Sequence, residues 1–300
     1  MTFISNIQFK DSQYRRVIKP DAKIRYDNIS VIIPVKNNQR GVDNLLDSYT
    51  ALINAQTIPK EIIIVDNNSS PPLRISERHE YINNLIIKKC QRPGPAAARN
   101  VGIEQASSKW ILFIDSDCQF TETTLAGYYN PADLNCIGYA GKVKALGKSI
   151  YSEYYDEHDM LYPRENPLER EKRPQYLITA NCLIWKPALV EVKGFDERIK
   201  IASGEDVEIS YKLSGIGRFA YMPASIVCHD YGDTMYSFLS RFYRYGKIIR
   251  NLKRIGVIKS AKLISFDQEK VNNSPIDFML EIIRNIANIC GYIHSIFRPI

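Results

Sequence analysis

The stretch 110-WILFIDSDCQF-120 sets five apolar residues, Trp110 to Ile114, directly before Asp115, Ser116 and Asp117. A short unbroken apolar run bounded by polar residues reads as a strand buried on both faces, the kind found in parallel sheets. The two acids then stand at its carboxyl end. Upstream, residues 94–105 read as a helix and residues 84–88 as a strand. Before these, 61-EIIIV-65 reads as a buried strand ending in Asp66, residues 44–53 carry apolar side chains at helical spacing, and 30-SVIIPV-35 is another buried strand. Strands alternating with helices predict βαβ units and a mostly parallel sheet flanked by helices. In such sheets ligands bind beyond the carboxyl ends of the strands, where Asp66, Asp115 and Asp117 all fall.

Downstream of Asp117 the alternation loosens. Residues 137–145, 180–185 and 218–222 read as strands; residues 187–192 and 206–213 read as short helices. Phe238, Phe242, Tyr245, Ile249 and Leu252 form one face of a helix over 238–255, with Arg244, Lys247, Arg250 and Arg254 opposite. The tail, 276–300, repeats an amphipathic pattern through Ile276, Met279, Ile283, Ile286, Cys290, Ile293 and Phe297, interrupted by Asp277, Glu281 and Arg284. Three segments are expected: an N-terminal arm over 1–28, a catalytic domain over 29–235, and a basic, amphipathic helical region over 236–300.

Composition narrows the class. The 300 residues are 45% hydrophobic and 24% charged, ordinary for a globular chain with a sizeable core. The six cysteines have no CxxC spacing, which excludes the common zinc sites. No secretory signal pattern opens the chain, and no apolar run reaches the roughly 18 residues of a membrane span. The expected place is therefore cytoplasmic, with a peripheral position on the inner membrane face. The net charge of +7 is concentrated: residues 234–266 contain eight cations and no acid, leaving the rest at −1. That segment can pack on the domain, bind nucleic acid or lie on an anionic membrane surface. No nucleic-acid-binding module accompanies it, and the membrane contact is favoured.

Two carboxylates flanking one small residue suit a hard divalent cation that keeps substrate phosphates in its shell; a turn with Asx bonds is the structural alternative. Asp66 opens 66-DNNSS-70, where a carboxylate can accept from a nucleobase or ribose, or simply from a turn. In 92-RPGPAAARNVG-102 small residues permit close backbone approach, and Arg99 can meet a diphosphate. Glu205 and Asp206, in 204-GEDVEIS-210, sit at a loop-to-helix boundary, suiting either the helix dipole or a general base. His229 follows a strand and can complete a cation's shell as a neutral imidazole.

SVIIPVKN, IIIVDNNSS, GPAAARNVGIEQASSKWILFIDSD, ANCLIWKPALVEVKGFDE and GEDVEISYKL occur in this order, and the set resembles the family 2 glycosyltransferases of the GT-A fold. The resemblance covers residues 29–246. It implies a GT-A domain with a Rossmann-like nucleotide-binding half, and an inverting transfer of a hexosyl or deoxyhexosyl group from a nucleoside-diphosphate sugar to a hydroxyl acceptor. It implies that Pro34, Val35, Asp66, Arg99, Asn100, Asp115, Ser116 and Asn181 bind the nucleotide sugar. Asp115, Asp117 and His229 would hold Mn²⁺ or Mg²⁺, and Asp206 would be the base with Glu205 beside it. A UDP- or dTDP-sugar donor and a glycan or lipid-linked acceptor of bacterial surface polysaccharide assembly are implied. Asn37 and Asn38 depart from the acid that many members carry there. The acceptor would meet the segment 149–175, rich in tyrosine and charge.

Other motifs fail their context. 215-GIGRFA-220 follows a helix and leads into a strand, the reverse of a dinucleotide fingerprint, and 141-GKVKALGKS-149 has one residue too many for a P-loop. Two competing readings are a nucleotidyltransferase, disfavoured by GEDVEIS and GFDE, and a catalytically silent sugar-nucleotide-binding or membrane scaffold protein.

Overall fold

The computed structural model describes residues 8–9, 17–129, 131, 133–158, 174, 176–264 and 274–298. A two-residue strand, β1 (Gln8–Phe9), begins it. Then β2 (Ile29–Val35), β3 (Glu61–Asp66), β4 (Leu85–Lys89) and β5 (Trp110–Ile114) pair in parallel, in the order β4-β3-β2-β5. Isoleucine and valine dominate β2 and β3, and these β-branched side chains favour the pleated backbone while filling both faces of the sheet. Ile32, Ile33, Ile63, Ile64, Leu112 and Phe113 are fully buried. Helices α1 (Gln39–Asp47), α2 (Thr50–Asn54) and α3 (Pro95–Gln105) connect them. Pro95 opens α3 where its missing N–H costs nothing, and Ala96, Ala97 and Ala98 let the helix sit close on the sheet.

The second half mixes directions. It runs β6 (Cys118–Phe120), α4 (Thr123–Ala126), β7 (Cys136–Ala145), α5 (Ile150–Glu157), β8 (Asn181–Trp185), α6 (Lys186–Glu191), α7 (Glu205–Ser214) and β9 (Arg218–His229). The sheet continues from β5 as β8-β7-β9-β6. β8 is antiparallel to both β5 and β7, β6 is antiparallel to β9, and only β7 and β9 run parallel. Two features depart from expectation. β9 continues past Pro223 to His229, because a register shift between Gly141 and Lys142 of β7 leaves Pro223 outside the ladder. β6, three residues long, carries no periodicity that a sequence could display.

The chain closes with α8 (Met235–Arg254), β10 (Ile258–Ser260) and α9 (Pro275–Phe297). β10 pairs with β1. From the N-terminal region, Ile18 donates its N–H to the Ile216 carbonyl, and the Trp110 indole donates to the Ala22 carbonyl. A second core cluster joins Phe238, Phe242, Ile248 and Leu280 to Tyr154, Ile199 and Val207, so the last helices share a core with α5 and α7. α8 and α9 cross at two glycines. A Cβ on Gly246 would lie 1.9 Å from the Asn288 carbonyl oxygen, and one on Gly291 would lie 1.9 Å from that of Tyr243. α9 buries its polar side chains together with Leu280 and Ala287, and leaves an apolar stripe outside. No described helix is long and apolar enough to cross a membrane. Of the segment 149–175, α5 is helical, while residues 159–173 and 175 lie outside the described residues.

Candidate active site

At the carboxyl ends of β2 and β5 lies a cavity of ≈ 430 Å³. Its wall includes Pro34 and Val35 from β2, Asp115, Ser116 and Asp117 beyond β5, and Arg99 from α3. Glu205 and Asp206 enter from the first turn of α7, His229 from the end of β9, and Arg241 and Arg244 from α8. Residues far apart in the chain thus meet at one strand-end crevice, the position expected of an open α/β sheet.

Arg99 organises the floor. Its guanidinium is buried and donates to Asp115 Oδ1 at 2.7 Å and to Glu205 Oε1 at 2.8 Å, with its carbon 5.7 Å from the Phe195 ring centre. One cation therefore joins the strand-end acid to the helix-start acid. Gly94, at φ +105°, takes a conformation open to glycine, and a Cβ there would lie 2.8 Å from the Lys200 Cα, so the loop before α3 can close on the loop before α7.

Asp206 stands beside this pair. Burial, reinforced by the neighbouring Glu205 charge, pushes its carboxyl up to about 7. Asp206 Oδ1 accepts from the Val207 N–H at 2.8 Å. A carboxyl poised near neutrality beside a cavity can exchange a proton with a bound hydroxyl.

The third cluster depends on β6. Its pairing sets Cys118 opposite His229, and the Asp230 N–H donates to the Asp117 carbonyl at 2.8 Å. His229 Nε2 then lies 3.4 Å from Asp117 Oδ1. The ring is buried, stacked on Tyr231 at 4.5 Å between centres, and its Nδ1 lacks a hydrogen-bond partner. Burial, helped by the Arg241 charge, lowers its pKa to about 3, so the imidazole is neutral. One ligand atom each from Asp117, Cys118 and His229 lies within 4.8 Å of the others. Burial holds the Cys118 thiol protonated, and its sulfur points to the Ala180 carbonyl at 3.8 Å. A carboxylate and a neutral imidazole converging in this way fit a divalent cation. Asp115, expected in the same ligand set, is not in that group; its Oδ1 accepts from Arg99.

Three residues expected to bind the nucleotide sugar are not among those lining this cavity. Asp66 accepts from the Ser69 and Leu73 N–H groups at 2.9 and 3.2 Å; burial alone would raise its pKa, but these bonds bring it below the ordinary value. Asn100 clamps the GFDE turn, accepting from the Phe195 N–H and donating to its carbonyl. Asn181 is buried, donating to the Lys142 and Ser225 carbonyls and accepting from the Tyr128 hydroxyl. All three amide or carboxylate groups are used to hold loops and strands in place.

Several polar lining residues lie outside the expected binding set. Asn67 lines the cavity while donating to the Cys90 and Arg92 carbonyls. Asn38 caps α1 and donates to the Ser116 hydroxyl at 3.0 Å, fixing the residue between the two acids. Arg241 lies 4.9 Å from the centre of Tyr231 and 5.5 Å from that of Tyr155. The exposed Arg244 lies one turn on. The i, i+3 spacing of the two arginines was visible, but not which side of α8 meets the cavity.

A family model described as "Glycosyl transferase family 2" matches residues 30–195, more than half of the chain. The chain is 38% identical over 236 residues to glycosyltransferase AglE of Haloferax volcanii, covering 73% of this chain and 72% of that protein. It is 28% identical over 241 residues to the pre-mycofactocin glycosyltransferase of Mycobacterium tuberculosis, covering 76% of this chain; it spans about half, 48%, of that relative. A poly(ribitol-phosphate) beta-glucosyltransferase of Bacillus spizizenii is 32% identical over 168 residues, 52% of this chain and 25% of its own. Among solved structures, the mannosyltransferase PcManGT of Pyrobaculum calidifontis, in complex with GDP-Man and Mn²⁺, shares the fold. Its TM-score is 0.53 at 14% identity, over 97% of this chain and 80% of that one.

Proposed function

The chain belongs to glycosyl transferase family 2 and has the GT-A fold, and from that premise we propose that it moves a sugar from a nucleoside-diphosphate sugar to a hydroxyl acceptor with inversion. The observation that carries the reading is the meeting, at one strand-end cavity, of a carboxyl raised to about 7 with two arginines and an Asp–His pair. Each part suits a different charge of the reaction.

Arg241 and Arg244 supply fixed positive charge for the diphosphate, which gains negative charge as it leaves. Asp117 and His229 would hold a divalent cation, with Asp115 beside them; a nitrogen ligand suits Mn²⁺ better than Mg²⁺. When bound, that cation would neutralise charge on the leaving diphosphate. Arg99 keeps Asp115 and Glu205 in register. Asp206 takes the proton of the acceptor hydroxyl as its oxygen attacks the anomeric carbon. The bond from that carbon to the diphosphate oxygen breaks on the opposite face. One displacement inverts the configuration.

Relatives bearing the name of a poly(ribitol-phosphate) glucosyltransferase support a role in bacterial surface polysaccharide assembly. A UDP- or dTDP-sugar is the proposed donor. Calorimetric titration with UDP, dTDP and GDP, with and without Mn²⁺, tests the reading. Metal-dependent binding of one diphosphate names the donor class. No binding of any to folded protein would favour the scaffold alternative.

A further inference from the structure

The last helix packs Leu280 and Ala287 inward among polar side chains and turns an apolar stripe outward. Along α9 the side chains facing the protein include Asp277, Glu281, Arg284, Asn285, Asn288 and Ser295. Those facing solvent include Ile276, Met279, Ile282, Ile286, Ile293 and Phe297, between 37% and 79% exposed. Every exposed position from Ile276 to Phe297 carries an apolar side chain or Cys290. The acid at the centre of the inner side is bonded there. Glu281 accepts from the Tyr154 hydroxyl at 2.8 Å and from Arg284 at 2.6 Å. The glycine crossing with α8 then brings the two backbones into contact. A continuous exposed apolar stripe of this kind marks an interaction surface.

Charge identifies the occupant. Over 234–264 and 274–298 the only described acids are Asp277 and Glu281, and both are buried. Cations of α8 flank α9. Lys253 lies 5.9 Å from the Tyr292 ring centre, and the Arg250 guanidinium donates to the Ser295 carbonyl. Two copies packed through this face would bring cations together with no exposed carboxylate among the described residues of α8 and α9 to meet them. An anionic lipid surface complements both the stripe and its flanks.

We propose that α9 lies along an anionic bilayer surface, its isoleucine face in the headgroup boundary and the cations of α8 on the lipid phosphates. α8 lines the cavity with Arg241, Arg244 and Ile248 and receives α9 at Gly246. A wall two helices thick, α8 and then α9, separates the cavity from the lipid. Bilayer binding stands on these residues and does not depend on the proposed reaction.

The test is co-sedimentation of the full chain with vesicles of phosphatidylcholine, with and without phosphatidylglycerol, beside sedimentation velocity in solution. The wild type is expected to partition onto the anionic vesicles only, and less so at high salt. The double variant Ile282→Glu, Ile286→Glu should lose about tenfold or more of that partitioning, with an unchanged melting curve because both sites are exposed. Val190→Glu on α6, also exposed, should change nothing. No partitioning, or partitioning that the double variant leaves intact, overturns the proposal. So does a dimer in solution that the double variant dissociates, which would give the face to a second copy.

Discussion

Asp206 shows how one residue's environment becomes a measurable pH dependence. Its carboxyl, raised by burial and by Glu205, reaches about 7. If it takes the acceptor proton, kcat/KM should rise with pH up to about 7 and level off above. Glu205→Gln removes the like charge, and the midpoint of that rise should move to lower pH. Asp206→Asn should abolish transfer while leaving donor binding nearly intact. Stability moves the other way. The folded protein holds the Asp206 proton more tightly than the unfolded chain, whose carboxyl titrates near 3.8. The cost of ionising it in place is absent below that value and complete above about 7. Asp206→Asn should therefore melt higher than wild type at pH 8, and the difference should vanish near pH 4. Arg99→Ala leaves Asp115 and Glu205 without their shared cation. With Arg99 and Glu205 both buried, urea denaturation should show a loss of about 3 kcal/mol or more.

Among the elements, the shortest strand has the largest consequence. β6 is three residues long, yet its pairing with β9 is what places His229 against Asp117. The α8–α9 crossing is as exacting. A side chain at Gly291 would overlap the Tyr243 carbonyl, so Gly291→Val must push the helices apart. Overpacking of this kind costs about 1–3 kcal/mol. The melting temperature should fall, and donor affinity with it, since α8 also carries Arg241 and Arg244 into the cavity.

Over the whole molecule, stability is expected to be uneven. β2, β3 and β5 are buried on both faces and paired in parallel, whereas β1 and β10 form a separate two-stranded sheet. Hydrogen exchange should find the β2, β3 and β5 amides slowest and those of β1 and β10 among the fastest. Comparable rates in the two sheets would contradict this.

The amino-acid sequence by itself determined the parallel half: each apolar run is a local signal, and those of β3 and β5 meet an acid, Asp66 and Asp115, at the strand's carboxyl end. It also determined the candidate acids, Asp115, Asp117, Glu205 and Asp206, because they stand at the ends of recognisable elements. Only the tertiary structure decided how those acids are shared, with Asp115 drawn to Arg99 and Asp117 to His229. It turned Asp66, Asn100 and Asn181 to holding loops and strands in place and brought Arg241 and Arg244 into the cavity. It also faced the apolar side of α9 outward. The physical reason is the same throughout. Periodicity tells which residues share a face, but long-range hydrogen bonds, buried ion pairs and the close approach of two glycines decide what that face meets.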